Sequence, residues 1–239
     1  MGIRKHIPNS ITSLNLLSGC IAVLFSFDGE FGAALFSIMA AALFDFLDGL
    51  SARALKVYSP MGKELDSLAD MVSFGIAPAM ILFNKLMEVE EPCIPALLSA
   101  LPIALFSGLR LAKFNIDSRQ SEDFIGLATP SNALLIASFT ASLELYPNLN
   151  SAVMEHYYIL PLCALLLSCL LVSEIPMFSF KFKSLDYKEN SIRFLFTALA
   201  ALLGIATAIA GLNWRIWVFS IFAGYIIINI LRLFLPKRG

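Results

Sequence analysis

The sequence has 239 residues, of which 58% are hydrophobic and only 15% are charged. Soluble domains average about 45–50% apolar and about 25% charged residues, so this chain lacks the polar residues that a soluble surface needs. Its 17 basic and 18 acidic residues nearly balance, which excludes a nucleic acid partner bound through a basic surface. The composition predicts an integral membrane protein.

Eight apolar runs are long enough to cross a membrane, because a bilayer core about 30 Å thick needs roughly 20 residues of helix. The predicted spans, in chain order, are Ile11–Phe27, Phe31–Leu50, Leu65–Leu86, Ile94–Leu111, Pro130–Tyr146, Tyr157–Ser173, Arg193–Leu212 and Trp214–Leu235. The runs are continuously apolar rather than alternating with a period of two, which favours helices over barrel strands. The expected fold is an all-α integral membrane bundle of about eight transmembrane helices, forming a single domain over residues 1–239.

Lysine and arginine residues in short loops mark the cytoplasmic ends of membrane helices. Most of the basic residues fall on one predicted side, namely Arg4, Lys5, Arg53, Lys56, Lys63, Arg110, Lys113, Arg119, Lys181, Lys183, Lys188, Arg193, Arg232, Lys237 and Arg238. Lys85 and Arg215 fall on the other side. That side also carries the acidic loop residues Asp28, Glu30, Glu88, Glu90 and Glu91. Both termini are therefore predicted to be cytoplasmic, in a multi-pass protein of the cell membrane.

Four aspartates lie at the end of the second predicted span and the start of the third. Asp45 and Asp48 are three residues apart, and Asp66 and Asp70 are four apart, so each pair shares one helix face. The short connection between these spans lets the two pairs face each other. An aspartate within a span costs roughly 2.5–3.5 kcal/mol on insertion scales, and clustered carboxylates repel one another. Two divalent cations, Mg²⁺ or Mn²⁺, would neutralise four such charges.

Other interpretations of the aspartates have to be compared with a metal site. A lone aspartate near the end of a span is usually a solvated helix terminus, and aspartate clusters also occur in ion pathways. Gly49 and Gly62 serve helix packing in many membrane proteins, but here a diphosphate could approach their backbone, with Arg53 to neutralise it. The combination predicts a pyrophosphate site. A divalent-cation transporter is the alternative from a different class.

The motif D-x2-D-G-x2-A-R-x8-G-x3-D-x3-D runs from Asp45 to Asp70 and resembles the signature of the CDP-alcohol phosphatidyltransferase family. The segments DSLADMVSFGIAP, RLAKFN and GLATPS, which begin at Asp66, Arg110 and Gly126, resemble the branch of that family with L-serine as acceptor. The motifs cover residues 8–131, which we expect to hold the catalytic helices. Residues 132–239 are expected to be scaffold helices that contact lipid.

Two positions depart from the pattern of that branch. Lys113 stands where arginine is frequent, and Ala128 stands where proline is frequent. Lysine keeps the positive charge but loses the bidentate fork of a guanidinium group. Within the same reaction class, glycerol 3-phosphate or inositol remains an alternative acceptor.

The resemblance implies transfer of the phosphatidyl group of CDP-diacylglycerol to the hydroxyl of L-serine, with release of CMP. By position, two divalent metals would be bound by Asp45, Asp48, Asp66 and Asp70. Asp70 would also be the general base. The residues that the resemblance assigns to the CDP portion are Gly49, Ala52, Arg53 and Gly62, with Asn9, Thr12 and Asn15 as neighbours. The residues expected to bind serine or the lipid phosphate are Arg110, Lys113 and Asn115.

The expected partners follow from the same resemblance. They are the two substrates and membrane lipids, and a homodimer is common among relatives. The active site is expected at the cytoplasmic face. At that depth the diacyl tail can stay in the bilayer while the nucleotide and serine are in contact with water.

Overall fold

The structure is a computed structural model that describes residues 6–89, 93–117, 124–178 and 187–234. Almost all of these residues are helical, which confirms the predicted all-α class. The helices are α1 (His6–Phe27), α2 (Phe31–Leu55), α3 (Pro60–Asp70), α4 (Ala77–Leu86), α5 (Cys93–Ile116), α6 (Thr129–Leu143), α7 (Pro147–Glu155), α8 (Leu160–Val172), α9 (Tyr187–Ile209) and α10 (Trp214–Arg232). The remaining elements are a π-helix (Met71–Ile76), a 3₁₀ turn (Tyr157–Ile159) and the antiparallel strand pair β1 (Phe124–Ile125) and β2 (Pro176–Met177).

Among the described residues, five helical segments are long and apolar enough to cross a membrane. They are His6–Phe27, Phe31–Leu55, Pro60–Leu86, Ile94–Ile116 and Trp214–Arg232. A sixth results if the bent pair α7–α8 is taken as one span. The protein is therefore a multi-pass membrane protein.

This count of five or six is lower than the eight predicted spans, for physical reasons that differ between helices. Helix α6 has only 15 residues and rises about 22 Å, which is less than a hydrocarbon core of about 30 Å. A bend of 68° interrupts α7–α8. The described apolar part of α9 is limited to Arg193–Ile209.

Small residues face the interior of the bundle, and large apolar residues face outward. Helix α1 buries Gly19 and Ala22, and α2 buries Ala34. Leu24 and Phe36 on the same two helices are 65% and 67% exposed. This arrangement is typical of helices in lipid, where close backbone approach provides the packing energy and the exposed side chains contact acyl chains.

The π-helix brings the third span into direct contact with α1. A Cβ atom on Gly19 would lie only 2.7 Å from Cα of Ser73, so a larger residue cannot fit at this crossing. The Ser73 hydroxyl donates a hydrogen bond to the backbone carbonyl of Asn15 at 2.9 Å. The crossing therefore fixes the end of α3, and Asp70 with it, beside the middle of α1.

Lys85 and Arg215 are the two basic residues predicted on the side opposite the cytoplasm. Both side chains lie against the start of α2. Nζ of Lys85 is 5.3 Å from the ring centroid of Phe31, and the guanidinium group of Arg215 lies against Gly32. The aspartate pair of α2 lies toward the other end of that helix. Ten residues used for the predicted orientation lie, wholly or in their side chains, outside the described residues, namely Arg4, Lys5, Glu90, Glu91, Arg119, Lys181, Lys183, Lys188, Lys237 and Arg238.

An ion pair joins three helices at the Lys85 end of the bundle. Oε2 of Glu144, the residue after α6, pairs with Nη1 of Arg215 in α10 at 2.5 Å. Its Oε1 accepts a hydrogen bond from the backbone N–H of Phe31 in α2 at 2.7 Å. Arg215 also donates to the carbonyl of Ala141 at 2.8 Å. The two charged side chains are only 20% and 25% exposed, so this group connects α2, α6 and α10.

We expect Glu144→Ala to lower the free energy of unfolding by about 2 kcal/mol, because it removes two hydrogen bonds that involve a charged group. Thermal denaturation of the detergent-solubilised protein measures the loss. Glu174→Ala is the matched control, since its ion pair with Lys113 joins side chains that are 61% and 33% exposed and should contribute less than about 1 kcal/mol. Equal destabilisation by the two variants would contradict a special role for Glu144.

Candidate active site

The four predicted aspartates come from the C-terminal half of α2 and from α3 as far as its last residue, Asp70. Carboxylate oxygens of Asp45, Asp48 and Asp66 all lie within 4.8 Å of one another. Asp70 is close enough to these three carboxylates for direct electrostatic repulsion. The spacings of three and four residues turn each pair toward the other helix, as the sequence predicts.

The chemistry of this cluster fits a divalent cation. Oδ2 of Asp48 and Oδ1 of Asp66 are buried and have no hydrogen-bond partner among the described residues. Buried carboxylate oxygens without a donor are costly, and their mutual repulsion adds to that cost. Ligands on opposite sides of a Mg²⁺ ion lie roughly 4.2 Å apart. Small side-chain movements would therefore let Asp45, Asp48 and Asp66 share one ion.

Asp70 has a different environment from the other three aspartates. Its Oδ1 accepts a hydrogen bond from Nδ2 of Asn15 at 3.1 Å, and Asn15 is completely buried. Arg110 of α5 is close enough to attract the Asp70 carboxylate. The hydrogen bond from Asn15 therefore orients Asp70, and the charge of Arg110 favours its carboxylate form.

A cavity of about 470 Å³ opens beside the cluster, and Asp48 and Asp66 form part of its wall. This volume lies within the roughly 300–1,000 Å³ of typical ligand sites. Five of the residues predicted to surround the CDP portion also line it, namely Asn9, Thr12, Gly49, Ala52 and Gly62. The other lining residues are Pro8, Val57, Tyr58, Ser59, Pro60 and Lys63.

The start of α3 forms one edge of this cavity. Ser59 is the N-cap of α3, its hydroxyl accepts a hydrogen bond from the backbone N–H of Gly62 at 3.0 Å, and Pro60 occupies the first turn. The N-terminus of a helix favours anions because its backbone N–H groups lack partners. Lys63 lines the same edge. The serine–proline pair is a helix-start signal that could have identified this part of the site from the sequence.

The two predicted glycines differ in what surrounds them. A Cβ atom on Gly62 would lie 2.9 Å from Oδ1 of Asn9 and 3.0 Å from Oγ of Ser59. A Cβ atom on Gly49 would lie 3.4 Å from Nη1 of Arg53, so the guanidinium group lies beside that backbone. The absence of a side chain thus lets Asn9 and Ser59 pack on Gly62 and lets Arg53 lie along Gly49. Both glycines line the cavity, whereas Arg53, which was predicted there, lies outside its lining.

We expect Gly62→Ala to raise the KM for the nucleotide substrate about tenfold, which equals about 1.4 kcal/mol of binding energy. The added methyl group would meet Asn9 and Ser59 and intrude on the cavity wall. Steady-state kinetics with varied nucleotide substrate measures the change. Gly224→Ala is the control, because a Cβ atom there meets nothing within 4 Å; an equal effect of both variants would argue against crowding at Gly62.

The three residues predicted to bind the acceptor make different contacts in the structure. Arg110 is 6% exposed, and its Nη1 donates to Oγ1 of Thr129 at 3.5 Å. Nζ of Lys113 pairs with Oε1 of Glu174 at 2.5 Å. Nδ2 of Asn115 donates to Oγ of Ser67 at 2.8 Å. The charge of Arg110 acts on the Asp70 carboxylate, and Asn115 contacts the same helix as Asp70 through Ser67.

Comparisons with known proteins agree with the motif. The family model described as CDP-alcohol phosphatidyltransferase matches residues 5–170. A Bacillus subtilis protein named CDP-diacylglycerol–serine O-phosphatidyltransferase is 38% identical over 138 residues, covering 57% of this chain and 77% of the relative. A Methanocaldococcus jannaschii protein of the same name is 37% identical over 175 residues, covering 72% and 75%. The Mycobacterium bovis protein of that name is 33% identical over 227 residues, covering 92% and 75%.

Proposed function

The chain belongs to the CDP-alcohol phosphatidyltransferase family, and from this we propose that it transfers the phosphatidyl group of CDP-diacylglycerol to the hydroxyl of L-serine, giving phosphatidylserine and CMP. The observation that carries the proposal is the aspartate cluster, of which Asp48 and Asp66 line a cavity whose other residues suit a nucleotide diphosphate. Relatives named for this reaction cover up to 92% of the chain.

The cavity binds the CDP portion of the donor. Asn9, Thr12 and Ala52 contact the nucleoside, and Gly49 and Gly62 let the diphosphate approach the backbone. Arg53 neutralises part of the diphosphate charge, and Lys63 at the start of α3 adds to that effect. Asn15 lies outside the lining of the cavity and acts through its hydrogen bond to Asp70.

The reaction replaces one phosphorus–oxygen bond with another. The serine hydroxyl oxygen attacks the phosphorus that carries diacylglycerol, the bond from that phosphorus to the bridging oxygen breaks, and CMP leaves with the bridging oxygen. The hydroxyl proton passes to the Asp70 carboxylate, which acts as general base. Arg110, next to Asp70, binds the acceptor carboxylate or the lipid phosphate.

Two divalent cations, Mg²⁺ or Mn²⁺, complete the site. They would be held by Asp45, Asp48, Asp66 and Asp70, the first three of which already have oxygens within 4.8 Å of one another. When bound, such ions stabilise the negative charge that develops on the phosphoryl oxygens and on the departing CMP. The protein's own contribution is to hold the ligand oxygens and the diphosphate in one geometry.

We further propose that eight helical segments lie within the membrane. Both termini are then cytoplasmic, and the active site lies at the cytoplasmic face of the cell membrane. The short α6, the bent α7–α8 and α9 then complete the bundle formed by the five long spans. Residues 8–131 carry the catalytic groups, residues 132–239 act mainly as scaffold, and the whole chain of 1–239 is one domain. A homodimer is the proposed assembly.

One assay tests the proposed reaction against its alternatives. Purified protein in detergent receives CDP-diacylglycerol, Mg²⁺ or Mn²⁺, and one of three acceptors, and CMP release is measured. We expect release with L-serine and little with inositol or glycerol 3-phosphate. Release with inositol alone would move the protein to another branch of the family. No release with any acceptor would overturn the reaction class, and metal transport by proteoliposomes would then favour the transporter.

A further inference from the structure

Asn132 and Ser107 are among the fully buried polar side chains without a hydrogen-bond partner in the part of the chain that the structure describes. Neither the amide nitrogen nor the amide oxygen of Asn132, in the first turn of α6, has one, and the hydroxyl of Ser107 in α5 has none. Other buried serines donate to the carbonyl four residues earlier, as Ser99 does to Pro95 at 2.9 Å. Orphaned buried polar groups are costly, so they call for a partner.

The side chains of Asn132 and Ser107 lie at the same level of the bundle. Ile136 of α6 packs in one core cluster with Ala79 of the third span and Ile103 of α5. One helical turn nearer to the aspartates, the corresponding residues of α6, the third span and α5 are Asn132, Gly75 and Ser107. A Cβ atom on Gly75 would lie 3.1 Å from Cβ of Ser107. The missing side chain of Gly75 therefore lets α5 pack closely on the third span at Ser107, with Sδ of Met71 also 3.1 Å from that Cβ position.

The next turn toward the aspartates holds Arg110 and Thr129, whose side chains meet at 3.5 Å. Thr129 and Asn132 are three residues apart, as are Ser107 and Arg110, so each pair shares a helix face. Arg110 attracts the carboxylate of Asp70. Buried polar groups therefore continue inward from Asp70, first to the guanidinium group and then to the two orphaned side chains.

We propose that Ser107 and Asn132 form the inner wall of the acceptor site and bind the ammonium group of L-serine, while Arg110 binds its carboxylate. This inference rests on the proposed function. Oδ1 of Asn132 and Oγ of Ser107 accept hydrogen bonds from the ammonium group, and Nδ2 of Asn132 donates to the carboxylate. Ser107 and Arg110 are three residues apart, a rise of about 4.5 Å along one face of α5, so the ammonium and carboxylate groups of one amino acid can bind at the two positions. The hydroxyl of L-serine then points to Asp70.

This arrangement also explains selectivity for an amino acid acceptor. Glycerol 3-phosphate and inositol carry no ammonium group, so they would leave the buried oxygens of Asn132 and Ser107 without a donor. Sites built to hydrogen-bond a polar group reject analogues that lack that group, because the site's own polar atoms then remain unpaired.

Asn132→Leu and Ser107→Ala test the inner wall. We expect each variant to raise the KM for L-serine about tenfold or more, the usual effect of losing a hydrogen bond to a charged group, with the KM for CDP-diacylglycerol unchanged. In Asn132→Leu we also expect the preference for L-serine over 3-hydroxypropionate, which lacks the ammonium group, to fall by the same factor. Binding of CDP measured by calorimetry checks that each variant is folded.

Thr140→Val is the matched control, because Thr140 is another fully buried hydroxyl without a partner and lies two turns further along α6. We expect no change in either KM for this variant. Unchanged serine kinetics in both wall variants, with CDP binding intact, would show that the orphaned groups hold buried water only and would overturn the inner wall. If the unaltered protein releases no CMP with L-serine, the proposed function itself fails and the acceptor site fails with it.

Discussion

Asp66→Asn is expected to reduce CMP release by about a thousandfold, or roughly 4 kcal/mol of transition-state stabilisation, while it stabilises the metal-free protein. Oδ1 of Asp66 is buried without a hydrogen-bond partner, and the carboxylate lies close enough to Asp48 to repel it. Asparagine removes the charge and supplies a donor. In the metal-free variant the cluster therefore contains one repulsive charge fewer, which stabilises the fold. In the presence of metal the variant lacks one charged ligand, which lowers activity.

Thermal denaturation and activity must be measured together to check this prediction. In metal-free buffer we expect Asp66→Asn to melt about 2–4 °C higher than the unaltered protein, which corresponds to about 1 kcal/mol for a chain of this size. Added Mg²⁺ or Mn²⁺ should raise the melting temperature of the unaltered protein, because a ligand of the folded state stabilises it. The variant should show a much smaller rise.

Glu64→Gln is the matched control for Asp66→Asn. Glu64 lies two residues earlier in α3 and is exposed, so it carries the same charge outside the cluster. We expect its activity and its metal-induced stabilisation to match those of the unaltered protein. Full activity in Asp66→Asn, or an equal loss in Glu64→Gln, would contradict a metal site built on the cluster.

The aspartate cluster could be predicted from the sequence because its geometry is local. Spacings of three and four residues fix the helix face, and the short connection between Asp48 and Asp66 limits how far apart the two helices can be. The cavity beside it is lined mostly by the same hairpin, and Pro8, Asn9 and Thr12 of α1 complete its wall. A membrane interior makes such residues conspicuous, since charges are rare there.

The acceptor side could not be predicted in the same way, because it depends on contacts between distant segments. Lys113 looks like part of a clamp in the sequence, yet it pairs with Glu174, which is 61 residues away. Asn132 looks like an ordinary polar residue at a helix start, and its lack of a partner appears only when α5 and α6 are packed. Hydropathy does not show a bend or a short helix, so the sequence predicts eight spans where the described residues contain five helical segments, or six with the bent pair, that are long and apolar enough to cross.

Asp70→Asn is expected to lower kcat by about 10³ to 10⁴-fold, the upper range for loss of a general base. The substitution preserves the shape of the side chain and leaves an oxygen that can still accept the hydrogen bond from Asn15. It removes the ability to take the serine proton. We therefore expect the KM for CDP-diacylglycerol to be nearly unchanged, since Asp70 does not line the cavity.

The comparison with Asp66→Asn separates the two roles proposed for Asp70. If proton removal dominates, the loss in Asp70→Asn appears in kcat while added Mg²⁺ or Mn²⁺ still stabilises the variant, because the oxygens of Asp45, Asp48 and Asp66 remain close together. Asn15→Leu should cause a smaller loss of about tenfold, since it removes one hydrogen bond to a charged group that orients the base. Retained turnover in Asp70→Asn would exclude the carboxylate as base, and complete loss of metal-induced stabilisation would make Asp70 chiefly a metal ligand.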